Sequence, residues 1–310
     1  MQSVLNAALP IFGLILIGYL CARFEILGRA ATDSLNRFAV FLALPALLFQ
    51  AMTRITLEQL GQAGFALAFA GGVAATFATA FMLGRRSGRR IADASILGLD
   101  ASYANVGFMG IPVCLLVFGE AGIPPAIIAT LFTACLLFAF AIVMIELDLQ
   151  RAGSLWRTAR KVLVSLVRNP LLVAPAAGLA VGMTGLALPA PVERFATLLG
   201  SAASPCALVC IGLFLAQERG VTGNATMLGL LVGMKLVLQP AVTALLAFQL
   251  LTMPPDWARA AVLLSALPIG SGPFTLAHLY RLEVGVTSGA ILASHLGSVV
   301  TVTLLLAWLG

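Results

Sequence analysis

Two stretches decide the fold: D-A-S-Y-A-N-V-G-F-M-G-I-P from Asp100 to Pro112, and S-A-L-P-I-G-S-G-P-F from Ser265 to Phe274. Each lies inside a long apolar run and places glycines and a proline near its middle. Proline removes a backbone N–H and clashes with the carbonyl four residues earlier, while glycine lowers the cost of non-helical backbone. A simple proline kink would account for either stretch alone. Their occurrence at matching places in two halves of the chain points instead to a pair of discontinuous helices.

The surrounding composition sets the solvent in which these helices sit. The chain has 310 residues, 61% of them hydrophobic and 10% charged, where a soluble domain carries about 25% charge. With a mean hydropathy of +1.05, it reads as an all-α polytopic membrane protein. A soluble enzyme, a disordered chain and a nucleic-acid binder are excluded. Runs of about 20 apolar residues give ten expected spans: 4–22, 35–53, 61–84, 93–119, 123–147, 170–188, 195–216, 224–248, 257–281 and 286–309. Met1 to Tyr19 lacks a basic n-region, so no cleavable signal peptide is expected. The five cysteines show no metal-site spacing and read as packing residues.

Loop charge orients the spans. With both termini outside, fourteen basic residues fall on the cytoplasmic side: Arg23, Arg29, Arg37, Arg85, Arg86, Arg89, Arg90, Arg151, Arg157, Arg160, Lys161, Arg168, Arg219 and Arg281. Three fall opposite: Arg54, Arg194 and Arg259. The positive-inside rule therefore predicts an inner-membrane protein with both termini on the non-cytoplasmic side.

The chain divides into a first five-span repeat (1–149), a basic cytoplasmic connection (150–168) and a second five-span repeat (169–310). Pro45 in span 2 answers Pro205 in span 7, Pro112 in span 4 answers Pro273 in span 9, and Pro10 with Gly13 answers Pro175 with Gly178. A repeat with an odd number of spans inserts its second copy upside down, so the repeats are inverted, a common plan of secondary transporters. Broken helices at membrane depth must be buried in protein or line a wet cavity, and matched interruptions are the best sequence pointer to a transporter binding site. Half-helices beginning near Pro112 and Pro273 would aim N-terminal N–H groups at the membrane centre, where they favour an anion. The C-terminal ends of the preceding halves favour a cation.

These residues resemble the auxin efflux carrier family, which includes plant auxin carriers and bacterial malonate and malate carriers. The likeness is carried by L-N-R-F-A-V-F-L-A-L-P-A-L-L-F (35–49), N-V-G-F-M-G-I-P (105–112), L-G-S-A-A-S-P-C-A-L-V-C-I-G-L-F-L (199–215), Lys235 with Pro240, and L-P-I-G-S-G-P-F-T-L-A-H-L-Y (267–280). It implies ten transmembrane helices as two inverted five-helix repeats, with crossed, broken helices 4 and 9. It also implies a homodimer through spans 1, 2, 6 and 7, and carriage of small organic anions by alternating access. One departure stands out. Bacterial relatives often carry asparagine in the span 9 break where this chain has Gly272, which leaves Asn105 as the sole amide at either break.

The substrate-contact candidates are therefore Asn105, Gly107, Gly110, Pro112, Gly270, Ser271, Gly272 and Pro273, with Lys235 supplying charge. Asn105 reads either as a substrate or gate contact, or as a cap on the broken helix. A central lysine costs at least ~2.5 kcal/mol on insertion scales, so Lys235 should face the interior and find a partner. That partner is either Asp100 or the negative end of a half-helix. Asp100 is the coupling candidate, for protons or sodium. His278 and His295 read as polar packing, and R-R-S-G-R-R (85–90) as a lipid anchor. A serine hydrolase built on Ser271 and His295 needs the two within hydrogen-bond reach, and nothing beyond residue types points to it. No nucleotide-binding or metal motif is present, so no cofactor is expected. The reading is a secondary transporter of a mono- or dicarboxylate, with an uncoupled anion facilitator as the alternative.

Overall fold

The computed structural model describes residues 2–56, 61–149, 160, 163–164, 167–185, 187–217, 225–282 and 284–309. Among them the chain is helical, and its β contact is a single antiparallel bridge between Ala104 and Ile269. The first half gives α1 (Gln2–Arg23), α2 (Arg29–Phe38), α3 (Leu44–Thr53), α4 (Ala63–Arg86), α5 (Ile91–Ser102), α6 (Ile111–Phe118), α7 (Ile123–Leu131) and α8 (Phe138–Asp148). The second gives α9 (Pro170–Met183), α10 (Ala190–Ser201), α11 (Ala203–Gln217), α12 (Ala225–Gly233), α13 (Gln239–Leu245), α14 (Pro255–Ser265), α15 (Gly272–Tyr280) and α16 (Val284–Leu309). Wider π turns join several of these without a break, at Ala39–Ala43, Val106–Gly110, Phe132–Leu137 and Met234–Leu238.

Among the described residues, six helical runs are long and apolar enough to cross a membrane: Ala30–Thr53, Ala63–Arg86, Val106–Asp148, Ala190–Gln217, Ala225–Leu250 and Val284–Trp308. Leu9–Arg23 and Pro170–Met183 are shorter apolar helices. The protein is thus a multi-pass helical membrane protein. The run from Val106 to Asp148 holds 43 residues, about twice a single crossing, and turns back at Gly119–Gly122, where Gly119 takes φ +65°. Spans 2 and 7 begin earlier than the hydropathy expectation, because polar-faced helices α2 and α10 lead into them. The basic connection at 150–168 falls largely outside the described residues.

Small residues bring two helix pairs into backbone contact, as lipid-embedded helices require in place of a hydrophobic drive. α1 crosses α11 so closely that a Cβ on Gly212 would lie 1.9 Å from the Ile15 carbonyl oxygen, and one on Gly18 2.1 Å from that of Val209. α9 crosses α3 in the same manner, with a Cβ on Gly178 falling 2.3 Å from the Phe49 oxygen. Helix ends meet in two separate sets. Arg54 at the end of α3 pairs with Glu193 in α10 and lies 4.0 Å from Glu120 after α6. At other ends, Asp148 accepts from the Ala92 N–H (3.0 Å), Tyr280 donates to Glu146 (2.7 Å) and Gln217 donates to Thr32 (2.7 Å).

Candidate functional site

The two stretches that open the sequence argument meet in space. α5 ends at Ser102 and α14 at Ser265, and the extended residues after each run past one another. The Asn105 N–H donates to the Pro268 carbonyl (2.8 Å) and the Gly270 N–H to the Tyr103 carbonyl (2.9 Å), closing the bridge at Ala104 and Ile269. The Ser294 hydroxyl on α16 accepts from the Ile269 N–H (3.0 Å). Every residue from Ala261 to Gly270 is buried, so each backbone group there must find a partner inside the protein.

The orphan carbonyls at the two half-helix ends are met from one helix. Lys235 Nζ donates to the Ser265 carbonyl at 2.6 Å, and Gln239 Nε2 to the Ser102 carbonyl at 3.2 Å. Lys235 and Gln239 are both 0% exposed and lie about one helical turn apart. This answers the partner question for Lys235. The expected ion pair with Asp100 is not formed, since no contact within 4.0 Å joins them. The lysine instead sits on the negative end of a half-helix, where a cation offsets the summed peptide dipoles. Asp100, also 0% exposed, accepts at Oδ2 from the Thr287 hydroxyl (3.0 Å), while its Oδ1 has no hydrogen-bond partner.

The first break lies upstream of its expected place. The second half of span 4 starts at Val106, through a π turn, and Pro112 is the second residue of α6, already inside helical backbone. The tertiary bridge sets this break: pairing Asn105 with Pro268 pulls residues 103–105 out of the helix, and Pro112 does not. In span 9 the half-helix does begin at Gly272 and Pro273.

The glycines have a packing reason of their own. A Cβ on Gly272 would lie 2.4 Å from Tyr103 Cζ, and one on Gly270 3.1 Å from the same ring. One on Gly110 would lie 2.8 Å from Leu264, and one on Gly107 would lie a tight 3.3 Å from Thr130 and 3.5 Å from Leu171. Gly110, Pro112, Gly270, Gly272 and Pro273 are all buried. Of the expected contact residues, Asn105 and Ser271 therefore bring side-chain polar groups to the breaks with partial or full exposure.

Asn105 makes no side-chain cap on the helix it precedes. Its amide nitrogen lies 3.4 Å from Nε2 of His295. Ser271 is exposed at the start of α15, which carries no side-chain cap either, leaving the positive end of that half-helix to whatever enters. Tyr103, Gln239 and Ser294 lie at the crossing without being singled out by the sequence, and His295, which reads there as polar packing, lies beside Asn105. Mid-span amides and imidazoles are rare at membrane depth and mark function by default, so Gln239 and His295 carried a usable signal; Tyr103 and Ser294 carried none.

A multi-pass chain built round two broken, crossing helices is the architecture of a membrane transporter. The sequence profile of a family described as "Membrane transport protein" matches residues 3–306, and the chain belongs to that family, the auxin efflux carriers that its motifs resemble. It is similar to a protein of Rhizobium meliloti (strain 1021) named "Putative malonate transporter", with 33% identity over 99% of this chain and 96% of that one. It also resembles an "Uncharacterized transporter" of Methanothermobacter thermautotrophicus, at 24% identity over 96% of each chain. The "Uncharacterized transporter YfdV" of Escherichia coli (strain K12) shares 24% identity over 96% of this chain and 94% of its own. The protein is a secondary transporter and not an enzyme.

Proposed function

We propose that the protein carries a small organic anion, a mono- or dicarboxylate, across the inner membrane by alternating access at the crossing of spans 4 and 9. The observation that carries this reading is the bridge at Ala104 and Ile269: two half-helix starts converge there, with Asn105 and Ser271 beside them. Positive helix ends and an amide donor suit a carboxylate, and Lys235, on the Ser265 carbonyl, is the residue that would supply positive charge behind it. The malonate name of the Rhizobium meliloti relative agrees with this chemistry.

Ten spans in two inverted repeats fit the packing. Exchanging the repeats turns the α1–α11 contact into the α9–α3 contact, and the α2 lead-in to span 2 into the α10 lead-in to span 7. The helix ends also group as two faces, with Arg54, Glu120 and Glu193 on one and Ala92, Asp148, Glu146 and Tyr280 on the other. The positive-inside count puts the Arg54 face and both termini outside. Spans 1, 2, 6 and 7 form the scaffold and the dimer contact. Exposed apolar side chains there, including Leu42, Phe195 and Leu198, would be covered by a second copy.

The test is malonate flux in proteoliposomes under an imposed potential, then under pH and sodium gradients. Flux lost in Asn105→Ala with the protein still folded supports the site. Flux that follows potential alone makes the protein an uncoupled facilitator and Asp100 structural. Flux that needs a pH or sodium gradient makes it a coupled carrier. Absence of malonate, malate and aromatic carboxylate flux in the wild type would sink the anion reading.

A further inference from the structure

The crossing sets a titratable ring against the amide at the first break. His295 is 6% exposed, and its Nδ1 lies 2.9 Å from the Ile291 carbonyl. A carbonyl only accepts, so Nδ1 carries the hydrogen and the neutral ring offers Nε2 as an acceptor. Asn105 Nδ2, at 3.4 Å, then donates to it. One amide hydrogen of Asn105 is thus spent on the ring and not on an anion. A protonated ring reverses this: Nε2–H becomes a donor, the amide turns its Oδ1 to the ring, and both Nδ2 hydrogens are released.

Charge points the same way. An anion drawn into a buried break needs a compensating cation. From α5, Asp93 lies in the first turn, and Asp100 accepts from Thr287, two turns before His295 on α16. From the Met234–Leu238 turn, Lys235 is directed at the Ser265 carbonyl and away from the ring beside Asn105, which its hydrogen bond does not reach. α14 brings Asp256 and Arg259 near its start, 3.9 Å from each other. α15 brings His278, exposed and stacked on Phe274, and Tyr280, whose hydroxyl meets Glu146. α1 brings Tyr19, Cys21 and Arg23 in its last turns, and α12 brings no titratable group. Among the described residues, His295 is the titratable ring in contact with the Asn105 amide at the first break.

We propose that His295 binds the proton that travels with the anion: carboxylate binding at Asn105 and protonation of His295 Nε2 favour each other. The proton comes from water on the loading side, occupies the Nε2 lone pair, and returns to water with the anion on the other side. This rests on the anion-carrier reading and assigns its coupling ion to a named atom, in place of Asp100.

The test is malonate binding to the purified full chain by titration calorimetry, in two buffers of different ionisation heat. The wild type should take up about one proton per malonate, and its Kd should tighten about tenfold from ~pH 8 to ~pH 7, as linkage of one proton requires. His295→Gln keeps an amide toward Asn105 but cannot gain charge; it should bind malonate with no proton uptake and a Kd flat with pH. Asp100→Asn should keep the uptake. Uptake that survives in His295→Gln, or disappears in Asp100→Asn, overturns the assignment, as does wild-type binding without uptake. A folded wild type that binds none of malonate, malate and an aromatic carboxylate overturns the anion reading and this inference with it; one that binds malate or the aromatic carboxylate instead is titrated with that anion. Should His295→Gln not fold, the wild type alone decides. The chain has two histidines, and ¹⁵N-histidine NMR should show malonate converting one ring to the imidazolium. Bound malonate with both rings unchanged refutes the proposal.

Discussion

Replacing Lys235 separates two jobs that the lysine does at once. Its Nζ donates to the Ser265 carbonyl at 2.6 Å with no solvent exposure, and in the proposed transport its charge stands behind the anion. Lys235→Gln keeps an N–H donor and loses the charge; Lys235→Met loses both. Leaving a buried carbonyl unpaired costs about 1–3 kcal/mol, while removing a buried ammonium returns at least ~2.5 kcal/mol on insertion scales. These terms nearly cancel, so Lys235→Met should unfold within a few degrees of wild type, and Lys235→Gln at or above it. Transport behaves differently. A unit charge acting on an anion over about 4–8 Å, at an effective dielectric near 20, is worth roughly 2–4 kcal/mol. Both variants should therefore raise the malonate KM by about 30-fold or more. The assays are thermal unfolding of the purified protein and initial malonate uptake in proteoliposomes. A Gln variant with wild-type KM would mean that the hydrogen bond matters and the charge does not. A Met variant that unfolds tens of degrees lower would mean that Lys235 supports far more than one carbonyl.

Three further outcomes follow from the packing. Gly212→Val places methyl groups on a Cβ already 1.9 Å from the Ile15 oxygen; separating α1 from α11 should cost well over about 1–3 kcal/mol and show as loss of folded protein on size-exclusion chromatography. Gly272→Ala drives its Cβ to 2.4 Å from the Tyr103 ring and should lower transport severalfold; adding Tyr103→Leu should restore part of it, and a double-mutant cycle with no coupling would contradict the contact. Gln239→Met removes the donor to the Ser102 carbonyl and should speed amide exchange across residues 103–105 without changing it in α9; equal protection in both proteins would sink the role given to Gln239.

Much of this architecture was legible because the bilayer permits few solutions. Apolar run length leads to membrane-spanning helices, and the interruptions near 100–112 and 265–274 point to the crossing. The position of the first break was not legible. Pro112 is the strongest local breaker, yet the helix opens at Tyr103–Asn105 because a long-range backbone bridge to Pro268 and Ile269 competes there with helical hydrogen bonds. The partner of Lys235 was half legible: desolvation demanded one, but only packing chooses the Ser265 carbonyl over Asp100. The glycines at 270 and 272 look like bare backbone offered to a ligand, whereas Tyr103, remote in sequence, fills the space they leave. His295 needs the approach of α16 to Asn105, which no local pattern encodes.

Lys235 and Gln239 also bear on how the crossing moves. One turn of one helix holds the tail of each broken helix, so the spacing of two otherwise independent segments is written into about 5.4 Å of helical rise. The two breaks are tied together: pulling either half-helix away from this turn tears a buried hydrogen bond. A single residue inserted between 235 and 239 would rotate one of the pair by about 100° and uncouple the two breaks, whatever the identity of the inserted residue. In this protein the length of that turn is itself constrained.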